Sequence, residues 1–244
     1  TMDPELMRRH LEPLVKAYEE WIKEKKATLQ GDQYEDEGYR SLERCTHAAE
    51  RIKAGINLLC EDEKARLAFC FANKAMAMQS KWKDPKNTLT WRPFQLGFFL
   101  INLNGLASKN HTDRDICDLL WFPTGGGKTE AYLLIAAFAI AYKRLNPGID
   151  NGDNSGAGVT VISRYTLRLL TIQQFRRTSS LITACEVLRN TKNIPGITGW
   201  TPAEVEPQNY LWGKEKFSIG LWVGGGVTPN EMISYNGRRY RYLG

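Results

Sequence analysis

Three consecutive glycines, Gly125, Gly126 and Gly127, run directly into Lys128 and Thr129. All five lie between two apolar runs in LLWFPTGGGKTEAYLL, residues 119–134. Backbone N–H groups converging at the start of a helix form an anion site, and side chains there would block the approach. Glycine supplies the backbone freedom such a loop needs. A lysine placed immediately after can reach the outer phosphates of a nucleotide, where it neutralises charge growing on the transferred group. The next hydroxyl can ligate magnesium. On this reading Thr124 to Thr129 hold the phosphates of a nucleotide, Lys128 and Thr129 are the catalytic pair, and Thr129 is the metal ligand. The full pattern G-x-x-x-x-G-K-[ST] would place glycine at position 122, where this chain has Phe122. A glycine-rich turn with a solvated lysine is the plain alternative.

The elements needed to position this loop are a strand before it and a helix after it. An apolar strand is expected over 118–122 and a long helix over 128–144. VTVIS, residues 159–163, reads as a β-branched strand followed by a helix in TLRLLTIQQFRR, and FSIGLWVGG, residues 217–225, as a third strand. Strand alternating with helix implies a parallel sheet with crossover helices. Upstream, residues 4–83 read as helical. Three stripes at helical spacing carry this reading, beginning with Leu11, Leu14, Val15, Tyr18 and Ile22. The polar, acidic QGDQYEDEGY, residues 30–39, reads as a surface loop. KWKDPKNTLTWRP, residues 81–93, marks a boundary, and residues 147–158 form a polar glycine-rich loop. The expected fold class is therefore α/β: a helical region over 1–86, then a P-loop domain with a parallel sheet over 87–244.

The totals set bounds. The 244 residues are 42% apolar and 25% charged with a formal net charge of +6, which permits a nucleic-acid partner without demanding one. Five cysteines without a C-x-x-C pair and three histidines without ligand spacing suggest neither a disulfide framework nor a zinc site. Reduced thiols in a cytoplasm fit best. The longest apolar run, residues 131–142, is too short to span a bilayer. The chain begins at Thr1 and reads as a piece of a longer protein.

Pro123–Thr129 resembles the first motif of superfamily 2 helicases and translocases, and two further segments share the resemblance. Trp-Arg-Pro-Phe-Gln, residues 91–95, is similar to the Q motif of that family. The resemblance implies that Gln95, with Arg92 beside it, reads the adenine edge; a polar residue at a helix start is the competing reading. Thr166–Gln173 is similar to motif Ia, which implies that Thr166, Arg168 and Gln173, with Arg164 just upstream, touch the backbone of a bound strand. The charge cluster could equally be a solvated face. Gly224–Asn230 resembles the signals near motif Ib and brings in Thr228, although a plain turn fits as well. The combined wording over about residues 65–230, including Phe122 and R-Y-T-L-R-L-L, is most similar to the DrmA family, the helicase-like component of the bacterial DISARM anti-phage system.

The resemblance implies a partial RecA-like domain using ATP and Mg²⁺, a nucleic-acid partner (DNA in preference to RNA) and a companion defence subunit. No acidic D-E-x-[HDQ] box follows Lys128, so the domain reads as cut before its Walker B motif, and the chain alone is expected to hydrolyse little. A P-loop kinase or other NTPase acting on a small substrate, and a helical docking module for a partner subunit, stay open as alternatives.

Overall fold

The computed structural model describes residues 3–31, 33–123, 125–146, 158–165, 168–190 and 211–222, together with the backbone of 234–235 and 238–239. Among these residues six α-helices dominate: α1 (Pro4–Thr28), α2 (Glu35–Glu61), α3 (Glu63–Lys83), α4 (Pro93–Ala107), α5 (Lys128–Leu145) and α6 (Arg168–Asn190). A 3₁₀ turn, Thr112–Asp115, follows α4.

Each of the first three helices forms where a stripe predicts it. The Asp3 carboxylate accepts from the Glu5 and Leu6 amides at 2.8 and 3.1 Å and, with Pro4 in the first turn, starts α1. Helix α2 begins inside the segment expected to be loop. Glu35, Asp36 and Glu37 form its first turn, where negative charge complements the helix dipole. A single residue, Asp62, separates α2 from α3. Its side chain accepts from the Lys64 and Ala65 amides and from the Tyr142 hydroxyl at 2.9 Å, so it caps α3 and fastens it to α5.

The core is built from helix faces. Phe71, Phe99, Leu103, Leu134, Phe138 and Leu181 are fully buried in one cluster that includes residues from α1 to α6. Phe99 meets Phe138 edge-on at 5.4 Å, and Trp212 packs on Phe71 at 4.3 Å. Helices α2 and α4 meet backbone to backbone at Gly55, where an added Cβ would fall 2.3 Å from the Leu100 carbonyl oxygen.

The expected parallel sheet, and with it the α/β RecA-like fold class, is overturned. Among the described residues the sole sheet is an antiparallel pair, β1 (Ser234–Tyr235) with β2 (Arg238–Arg239). Residues 118–122, 159–163 and 217–222 carry no strand. Leu119, Trp121 and Ile162 stand 86–87% exposed, where a sheet layered between helices would bury them. Apolar, β-branched composition favours an extended backbone, but a sheet also needs a neighbour for its N–H and C=O groups. Among the described residues these segments have none, and helix-on-helix packing makes the core instead.

Candidate nucleotide-binding site

The site lies between the segment 116–123, which has no regular secondary structure, and the start of α5. Gly125 and Gly127 adopt left-handed φ values of +81° and +94°, which strain any residue with a side chain. Gly127 is the N-cap of α5. Close approach adds a second constraint. A Cβ on Gly126 would lie 2.5 Å from the Phe122 ring, and one on Gly127 would lie 2.7 Å from Gln95 Nε2. The Gly126 amide closes the turn by donating to the Pro123 carbonyl at 3.1 Å. Lys128 Nζ folds back to donate to the Phe122 carbonyl and, at 3.1 Å, to the Pro123 carbonyl. Lys128 and Thr129 are half-buried in the first turn of α5. Thr124 lies outside the described residues.

The N-terminus of α4 grips this loop. Gln95 is 5% exposed and uses both ends of its amide. Oε1 accepts from the Arg92 amide at 2.8 Å, and Nε2 donates to the Gly127 carbonyl at 2.8 Å. Among the described residues, one N–H and one lone pair of that amide have no further partner. Arg92 donates to the Gly126 carbonyl at 2.8 Å. Phe122, the departure from the glycine pattern, stacks on Phe94 at 4.0 Å and 14°. The position that the usual loop leaves bare here fastens the loop to α4.

A buried ion cluster anchors the segment leading into the loop. Arg51 of α2 donates through Nε to Asp113 at 2.9 Å, through its two terminal nitrogens to Asp118 at 2.6 and 2.7 Å, and to the Ile101 carbonyl at 3.0 Å. Its pKa is raised, chiefly by the Asp118 hydrogen bond. Local pattern does not reveal this cluster, because Arg51 lies more than sixty residues from both carboxylates in sequence.

The residues expected to meet nucleic acid are placed in part. Arg164 and Gln173 are exposed, the latter on α6. Arg168 is the first residue of α6. Thr166 and Thr228 lie outside the described residues. Helix α6 is seated through Leu181, Cys185 and Leu188, all fully buried, and burial pushes the Cys185 thiol up to about 12. Arg177 of α6 reaches across to Glu130 in the first turn of α5. The Tyr165 hydroxyl is raised by burial and by Tyr132, with Arg177 acting in the opposite sense. Sequence reading missed the Glu130–Arg177 link, although both residues flank segments it singled out.

The residues that could hold a nucleoside triphosphate with magnesium are the three glycines, which backbone strain at Gly125 and Gly127 and close contact at Gly126 and Gly127 keep free of side chains, with Lys128, Thr129 and Gln95 adjoining them. Over 94% of its length the chain is 39% identical to the DISARM protein DrmA of Bacillus paralicheniformis. The chain is similar to DrmA. The resemblance to DrmA is thereby borne out, and the chain spans 20% of that relative's length. No protein-family model matches the chain. No helix among the described residues is long and apolar enough to cross a membrane. Among them, too, no group of three or more His, Cys, Asp or Glu is placed to hold a metal ion.

Proposed function

We propose that this chain is the ATP-binding portion of a nucleic-acid-dependent ATPase, of the helicase or translocase kind, acting on DNA in bacterial anti-phage defence. The observation that carries the reading is the loop itself, with left-handed Gly125 and Gly127 and with Lys128 opening α5. The similarity to DrmA, a DISARM protein, supports the defence setting.

In this reading the N–H groups of Gly125, Gly127 and Lys128 hold the phosphates, and the Lys128 ammonium exchanges its Phe122 and Pro123 carbonyl partners for the outermost phosphate, whose charge it neutralises. Thr129 holds magnesium, which supplies Lewis-acid stabilisation when bound. Gln95 and Arg92 couple base recognition to loop shape, because both already bond the loop's carbonyls. Arg164, Thr166, Arg168, Gln173 and Thr228 meet the sugar–phosphate backbone of the strand, a contact that is sequence-independent and salt-sensitive. Groups that orient the attacking water come from elsewhere in the full-length protein, which works in the cytoplasm beside a companion defence subunit.

The test is phosphate release by the full-length protein with and without single-stranded DNA. The reading expects release that DNA stimulates and Lys128→Ala abolishes. Release indifferent to both would overturn it.

A further inference from the structure

Glu130 is the third residue of α5, and its carboxylate lies close to the glycine loop. A Cβ on Gly127 would stand 3.5 Å from Glu130 Oε2. A bare carboxylate so placed opposes any anion on the loop, because like charges at this range repel even near a solvated surface. In this structure the carboxylate is not bare. The Arg177 guanidinium from α6 pairs with Glu130 Oε1.

Arg177 is also well placed to serve the other side. It lies on the helix that opens with Arg168 and exposes Gln173. Its backbone is pinned to α3, because Gln79 Nε2 donates to the Arg177 carbonyl at 2.6 Å. The backbone is therefore held while the side chain, 42% exposed, stays reachable from solvent. A phosphate of a strand lying along α6 and the Glu130 carboxylate would compete for one guanidinium.

We propose that the Glu130–Arg177 pair is the contact through which strand binding and nucleotide binding sense each other. A strand phosphate that draws Arg177 away uncovers Glu130 and makes the loop less favourable for a polyanion. By linkage, nucleotide on the loop weakens the strand's hold on Arg177 by the same factor. The inference rests on the nucleotide reading of the loop. Neither residue touches the nucleotide in this account; they set the charge it meets.

The test uses full-length protein at low ionic strength, where charges this exposed are least screened. ATP affinity is measured by calorimetry, without and with a single-stranded DNA oligonucleotide, for wild type, Glu130→Gln, Arg177→Met and the double variant. Both single variants break the same ion pair, so a merely structural pair would make them behave alike. Charge transmission makes them diverge. Without DNA, Arg177→Met weakens ATP binding by about fivefold, Glu130→Gln does not weaken it, and the double variant returns close to wild type. The ratio of ATP dissociation constants with and without DNA falls by a similar factor in every variant. Equal weakening by both single changes overturns the proposal, as does a ratio that no variant moves. Absence of ATP binding by wild type would overturn the nucleotide reading itself, a distinct result.

Discussion

Replacing Arg51 by methionine should destabilise this protein more than any surface substitution. The Arg51 side chain is 10% exposed, and the Asp113 and Asp118 side chains are 9% and 14% exposed. Three nitrogens of the guanidinium serve two carboxylates and a backbone carbonyl. Methionine keeps much of the volume but leaves two carboxylates in a poorly solvated site without a counter-charge. Breaking a buried pair in this way costs about 3–5 kcal/mol. For a chain of this size each kcal/mol moves the melting temperature by roughly 2–4 °C, so Arg51→Met should melt about 6–20 °C below the parent. Denaturant unfolding followed by circular dichroism measures the loss directly. Arg51→Met combined with Asp113→Asn and Asp118→Asn should recover at least half of it, because no bare charge then remains. A loss under about 1 kcal/mol for Arg51→Met would show the cluster to be solvated, and would refute its role as the anchor of the segment entering the loop.

Further outcomes follow from the same packing. Gly55→Ala should cost about 1–3 kcal/mol by forcing α2 from α4, read as a lower denaturant midpoint. Gly127→Ala should weaken ATP binding by about tenfold, roughly 1.4 kcal/mol, because a Cβ there would displace Gln95 and strain a φ of +94°; calorimetry reads this. Glu186 is held down at about 2 by Arg189, with the Phe217 amide and Asn190 also donating to it. A depressed carboxylate contributes stability that is complete above its unfolded pKa and lost as pH falls through the folded one. Stability should therefore fall between about pH 5 and 2, and Glu186→Gln should flatten that part of the pH profile.

Much of the helical scaffold is legible in sequence because its signals are local. The stripe of Leu11, Val15 and Ile22 predicts a buried face, and all three are buried. The glycine loop is legible for the same reason, since its chemistry sits within a few consecutive residues. The sheet was misjudged because Val159–Ser163 and its counterparts carry strand composition, whereas pairing depends on a neighbour that composition cannot supply. No local signal marks Asp62, yet this one residue ends α2, caps α3 and accepts from Tyr142. The Phe94–Phe122 stack and the Arg51 cluster join residues far apart in sequence, and only packing reveals them. Phe122 looked like a defect in the loop pattern. Its ring, stacked on Phe94, gives the departure a physical purpose.

The most direct measurement is calorimetric titration of ATP, with magnesium, into this chain and into Lys128→Ala. The account predicts saturable, one-to-one binding by the parent that Lys128→Ala abolishes and that removing magnesium weakens. Binding unchanged by Lys128→Ala would place the nucleotide elsewhere, and a parent that binds no ATP would leave Gly125–Gly127 a turn and contradict the account.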